Sequence, residues 1–185
     1  SMNNRQQCSV VEAYYILPEG TTTAYYGCVP TQHVKFINCK ALTNMAQTFQ
    51  DARSLRYLEF ENCDTSKVTS FKNFCWGCQS LKDVSFLKDL DCSSCTSMEG
   101  MFYGASSVEA LDLSLLKNTN KVETLNRMLN NCNSLSYLNV NGFDTSGVTN
   151  FSSFLSGIPT MEELDLSSFD VTNTVHTSLL TASPK

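Results

Sequence analysis

The chain has 185 residues with 18 acidic against 13 basic side chains, a formal net charge of −5. That size suits one domain, and the acidic balance argues against nucleic acid, which calls for a basic stripe. No apolar run reaches the roughly eighteen residues a membrane span needs.

Residues 1–31 follow no repeat. Residues 10–17 and 21–26 read as two extended segments around the turn Pro18-Glu19-Gly20, or as a short helix and a strand. This stretch is the expected N-terminal cap on the remainder of the chain. Cys8 and Cys28 flank it, and they are the pair expected to form a disulfide if any does, because a thin cap gains most from a staple.

Residues 32–185 repeat. The signature L-x-x-L-x-L/F begins at Leu55, Leu81, Val108, Leu135 and Met161, spaced by 26 or 27 residues. Its second position is Leu58, Val84, Leu111, Leu138 and Leu164; its third is Phe60, Phe86, Leu113, Val140 and Leu166. These are expected to be the inward residues of one short strand per repeat. A second apolar group stands at helical spacing: Val68, Phe71, Phe74 and Cys75 in one repeat, Cys95, Met98, Met101 and Phe102 in the next, and so on to Val148 and Val175. That periodicity predicts a short helix. The expected fold is therefore α/β: a solenoid of about six coils, the last incomplete, each with one short parallel strand and one short helix. Between strand and helix runs a column of small residues, Cys39, Thr65, Cys92, Thr119, Thr145 and Thr172, suited to bonding a neighbouring coil's backbone or to capping the adjoining helix.

Three phrases carry a resemblance: Phe143-Asp144-Thr145-Ser146-Gly147-Val148-Thr149-Asn150-Phe151, Met98-Glu99-Gly100-Met101-Phe102-Tyr103-Gly104-Ala105-Ser106-Ser107, and Leu111-Asp112-Leu113-Ser114. Over about residues 32–180 the chain resembles the bacterial surface protein 26-residue repeat, the BspA-like branch of leucine-rich repeats. The resemblance implies a leucine-rich-repeat-type solenoid from a cell-surface or secreted protein, often linked to adhesion, with no catalytic motif to carry over. The chain departs from the pattern at Lys117-Asn118-Thr119-Asn120, at Ile158-Pro159 and in its nine cysteines.

Cys75-Trp76-Gly77-Cys78 and Cys92-Ser93-Ser94-Cys95 superficially match a zinc ribbon. Their columns weigh against it. Cys75 aligns with Phe102, Leu129 and Leu155, and Cys95 with Val68 and Val122; Cys78 and Cys132 align with Ala52, Ala105 and Ile158, and Cys63 with Leu90, Leu116 and Phe143. Five of the nine are read as small core residues, so no metal or cofactor is expected.

The outward positions of the strand column form the candidate partner-binding face: Tyr57, Glu59, Asp83, Ser85, Asp112, Tyr137, Asn139, Glu163 and Asp165, with His33 and Lys35 extending it. Acidic groups with two tyrosines suit a basic or hydroxyl-rich protein partner; a merely solvated sheet face is the plainer alternative. The two histidines, His33 and His176, fall in the first and last coils, too far apart to share a catalytic site. The expectation is a non-catalytic surface or secreted domain for protein binding or adhesion, with host or matrix protein as the partner class. The alternative is an intracellular recognition module that recruits a partner to a separate catalytic domain. The last coil lacks a polar cap, so end-to-end self-association is also expected. Leu111→Asp and Val148→Asp should unfold the domain, and Asp112→Ala should be nearly neutral.

Overall fold

A computed structural model describes residues 12–16, 18, 20–27, 30–159, 161 and 164–175. Among the described residues five strands occur: β1 (Glu12–Ile16), β2 (His33–Ile37), β3 (Tyr57–Glu61), β4 (Ala110–Asp112) and β5 (Tyr137–Asn139). They form two parallel sheets, one ordered β1-β2-β3 and one of β4 with β5. His33 pairs with Tyr57 and Ala110 with Tyr137, so β2/β3 and β4/β5 keep the spacing of the sequence repeat, near 24 and 27 residues. Alternation along β2 buries Val34 and Phe36 completely.

The expected leucine-rich-repeat-type α/β solenoid is not found. Among the described residues there is no α-helix; the longest helical piece is the five-residue 3₁₀ turn Ser85–Asp89, followed by Leu113–Leu115. Strands are few among the described residues, most of which lie in turns and loops.

The predicted helices fail for a visible reason. In the segment containing Met98, Met101 and Phe102, alternate amides bond locally: Met101 N–H to Met98 C=O, Tyr103 N–H to Gly100 C=O, Ala105 N–H to Phe102 C=O. The intervening amides leave the segment altogether, Gly100 to Asn126, Phe102 to Met128 and Gly104 to Asn130. The same alternation joins the segments at 45–51, 71–77 and 125–131 each to the next repeat along the chain. A helix would demand i→i−4 bonds from every amide. Left-handed residues prevent it, occupying two columns at repeat spacing: Gln47, Asn73, Gly100, Arg127 and Ser153, then Asp51, Gly77, Gly104, Asn131 and Gly157. Apolar residues at i, i+3, i+4 and i+7 still share one buried side, but successive reversals of the backbone put them there.

Side-chain columns nonetheless meet in the core. Val68, Val122 and Val148 are fully buried, as are Phe71, Met98, Leu125 and Phe151. A chain of ring contacts runs Phe36, Phe49, Phe74, Phe86, Phe102, with centroids 5.3–6.4 Å apart. Such edge and tilted contacts add to area burial. The last repeat departs: Val175 is 74% exposed and Thr172 is exposed, so neither takes the inward place that its column suggests.

Candidate functional site

Outward residues of β2 and β3 build a charged patch because the strand pleat sends their neighbours inward. His33 Nε2 lies 3.2 Å from Glu59 Oε1, and Lys35 Nζ lies 3.7 Å from Glu59 Oε2 and 2.5 Å from Glu61 Oε2. The His33 ring meets Tyr57 edge-on at 6.0 Å. These pairs are partly solvated, so they contribute to orientation more than to stability.

The nine expected face residues do not make one continuous sheet. Tyr57 and Glu59 lie on β3, Asp112 on β4, and Tyr137 and Asn139 on β5; Asp83 and Ser85 lie at the start of a 3₁₀ turn that belongs to neither sheet. Phe86 and Leu87 are adjacent and both buried, which a pleated strand cannot arrange, so the chain turns there and separates β3 from β4. Asp165 sits in a loop. Glu163, Cys8 and Cys28 lie outside the described residues, as do residues 176–185 at the end of the coil expected to self-associate.

Two recesses flank the interruption. One, of about 350 Å³, lies against β3 between Lys35, Glu59, Glu61, Lys88 and Asp89. The other, of about 430 Å³, lies against β4 and β5, lined by Lys82, Asp83, Val84, Ser85, Ala110, Asp112, Leu115 and Tyr137. Tyr57 and Tyr137 remain about half exposed, at 48% and 57%. The structure thus gathers Asp83, Ser85, Asp112 and Tyr137 around one hollow and sets Tyr57 with Glu59 on the other sheet.

Several expected ligand-binding acids have a local task. Asp83 Oδ1 accepts from Ser85 N–H at 2.8 Å, Asp112 Oδ1 from Ser114 N–H at 3.0 Å, and Asp165 Oδ1 from Ser167 N–H at 2.8 Å. The same Asx turn forms at Asp64, Asp91, Asp144 and Asp170. Asp112 Oδ1 also accepts from Ser114 Oγ at 2.5 Å and, across the sheet, from Asn139 Nδ2 at 2.9 Å. The hydroxyl two residues on, and then its amide, hold Asp64, Asp144, Asp165 and Asp170 below the usual aspartate range. The D-x-S/T spacing recurs through the sequence and is the signal that identifies these acids as turn-formers.

An aromatic pair also lies outside the strand column. Trp76 and Tyr103 stack face to face with centroids 3.7 Å apart and planes 6° from parallel. Tyr103 Oη accepts from Asn131 Nδ2 at 3.1 Å. Their spacing of 27 residues in the turn segment was the available clue.

The thiols are interior groups. Burial pushes Cys75 and Cys92 strongly up, Cys95 up to about 11 and Cys132 up to about 12. Cys78 and Cys132 Sγ each donate to a buried carbonyl, of Phe49 and Phe102, at 3.1 Å. Among the described residues no group of three or more His, Cys, Asp and Glu side chains converges as a metal site would, and no helix is long and apolar enough to cross a membrane.

Comparison with known families places this arrangement. The family described as "Mycoplasma protein of unknown function, DUF285" matches residues 43–153 and, in a second overlapping match, 116–182. The chain belongs to this family. The two matches offset along one chain agree with its internal repetition. No curated protein and no solved structure matched.

Proposed function

We propose that the chain is a non-catalytic repeat domain that binds another protein, as a surface or secreted module of the adhesive kind. The single observation that supports this most is a pair of half-exposed tyrosines on the strand side of the molecule, Tyr137 on the lining of one recess and Tyr57 beside the charged groups of β2 and β3. Exposed aromatic anchors beside a hollow are what protein interfaces use. The acids nearby are turn-formers that stiffen this surface, and a stiff surface loses less entropy on docking. The likeness of its phrases to BspA-like surface repeats supports the extracellular address.

A second reading has one observation in its favour. Cys63, Cys75, Cys78, Cys92, Cys95 and Cys132 are free thiols, five of them buried, and that usage is the habit of a reducing compartment. It supports an intracellular module recruiting a partner to a catalytic domain elsewhere.

The test is photocrosslinking with p-benzoylphenylalanine placed at position 57 or 137, identification of the adduct, and direct binding of that purified protein. We expect one partner from both positions, with binding lost in the double variant Tyr57→Ala/Tyr137→Ala. Undiminished binding by the double variant would overturn the reading, and the identity of the partner separates the surface from the intracellular version.

A further inference from the structure

The hollow against β4 and β5 has a shape and charge that single out one kind of occupant. Its floor is Ala110, the smallest outward residue in the column Tyr57, Asp83, Ala110, Tyr137, and the missing side chain is what opens the space. Leu115 and Val84 make the floor apolar, and Tyr137 supplies an exposed aromatic wall. Asp83 and Asp112 stand on the lining, each with its turn bonds on Oδ1 alone. The second carboxylate oxygen of each therefore accepts no hydrogen bond among the described residues. Lys82, the one cation on the lining, forms no ion pair with either acid among the described residues.

The geometry points to this hollow as the receptor for an arginine side chain of the protein partner, with the guanidinium against the Tyr137 ring and between Asp83 and Asp112. This rests on the protein-binding reading above and names the group recognised. A planar guanidinium suits the place better than an ammonium: it stacks on an aromatic face while its edge donates to carboxylate oxygens, and its propyl stem covers an apolar floor. Charge complementarity favours it over a neutral or acidic group, since two carboxylates meet the occupant against one lysine on the rim.

The probe is acetyl-Gly-Arg-Gly-amide, titrated into the full chain and followed by amide and tyrosine ring resonances, with the citrulline and lysine peptides as comparisons. We expect saturable shifts centred on Ala110, Leu115 and Tyr137, with arginine binding at least about fivefold tighter than citrulline, the scale of one cation–π contact. Asp83→Asn keeps the Oδ1 acceptor of the turn, so it should fold and yet weaken the arginine peptide; Tyr137→Leu should do the same. Equal affinity for arginine and citrulline, equal affinity for lysine, or indifference to Asp83→Asn would each overturn the proposal. If the peptide fails while the crosslinks at 57 and 137 still find a partner, this inference falls and the broader reading stands.

Discussion

Thr65 and Asp91 exchange two hydrogen bonds through one hydroxyl: Oγ1 of Thr65 accepts from the Asp91 amide at 2.7 Å and donates to the Asp91 carbonyl at 3.1 Å. Thr145 does the same with Asp170 at 2.7 and 3.1 Å, and Thr119 with Asp144 at 2.8 and 3.5 Å. A buried hydroxyl that completes two backbone groups cannot be replaced by a methyl without orphaning both. Thr65→Val or Thr145→Val should lower stability by about 1–3 kcal/mol in denaturant titration, and Thr→Ser at the same place should recover most of it. A valine variant as stable as the parent would show that water replaces the hydroxyl.

Gly100 is left-handed at φ +60°, and a Cβ there would run first into Asn73 Oδ1 and then stand 2.9 Å from Cε3 of Trp76. Gly142 is left-handed at φ +80° with nothing nearby. Gly142→Ala should cost about 1–2 kcal/mol, the backbone preference alone; Gly100→Ala should cost more, because the Trp76–Tyr103 stack must also shift. Near-equal melting temperatures for the two variants would contradict this packing.

Asp64, Asp144, Asp165 and Asp170 are held below the ordinary aspartate value of 3.8 in the folded chain. A carboxylate depressed on folding adds stability that is fully present above its unfolded value and is lost as pH falls through the folded one. Urea midpoints should therefore be flat near neutrality and drop as pH goes below about 4. Asp144→Asn keeps an acceptor for Ser146 but cannot titrate, so its acid limb should be shallower than the parent's.

Leu111 is 1% exposed and Asp112, its neighbour on β4, holds Ser114 and Asn139. Leu111→Asp should abolish folding, since an unpaired carboxylate would be buried. Asp112→Ala is no longer expected to be neutral: losing a turn cap and a cross-sheet bond should cost about 1–2 kcal/mol. Circular dichroism melts of the pair rank the two effects, and an unchanged melt for Asp112→Ala would mean the cap is dispensable.

Cys63 is half-buried, whereas Cys95 and Cys132 are buried with thiols pushed up to about 11 and about 12. Alkylation follows thiolate and access. With iodoacetamide under native conditions, mass spectrometry should find Cys63 modified well before Cys132, and denaturation should erase the order.

Much of the interior was legible. The columns at Val68, Val122 and Val148, or at Phe71, Met98 and Leu125, are buried as side-chain type and spacing imply, because only apolar groups recur where each repeat must contribute to one core. The Thr column suits bonding to a neighbouring repeat or capping, and at Thr65, Thr119 and Thr145 it does the first. The helix expectation fails for a physical reason. Apolar spacing reports which side chains share a side, not the backbone path between them, and Asn73, Gly100 and Arg127 at positive φ reach the same burial through alternating turns.

The candidate face shows the same boundary. Outward polarity at Tyr57, Asp83, Asp112 and Tyr137 was visible residue by residue, but not that Asp83, Asp112 and Tyr137 gather around one hollow apart from Tyr57, because adjacent Phe86 and Leu87 are both drawn into the core and end the strand pairing between β3 and β4. Periodicity of side chains alone determined what is buried and how often the chain returns. Where each amide bonds, and so whether a stretch is helix, strand or turn, was decided by the neighbouring repeat, because backbone hydrogen bonds form between segments about 26 residues apart that no local window contains.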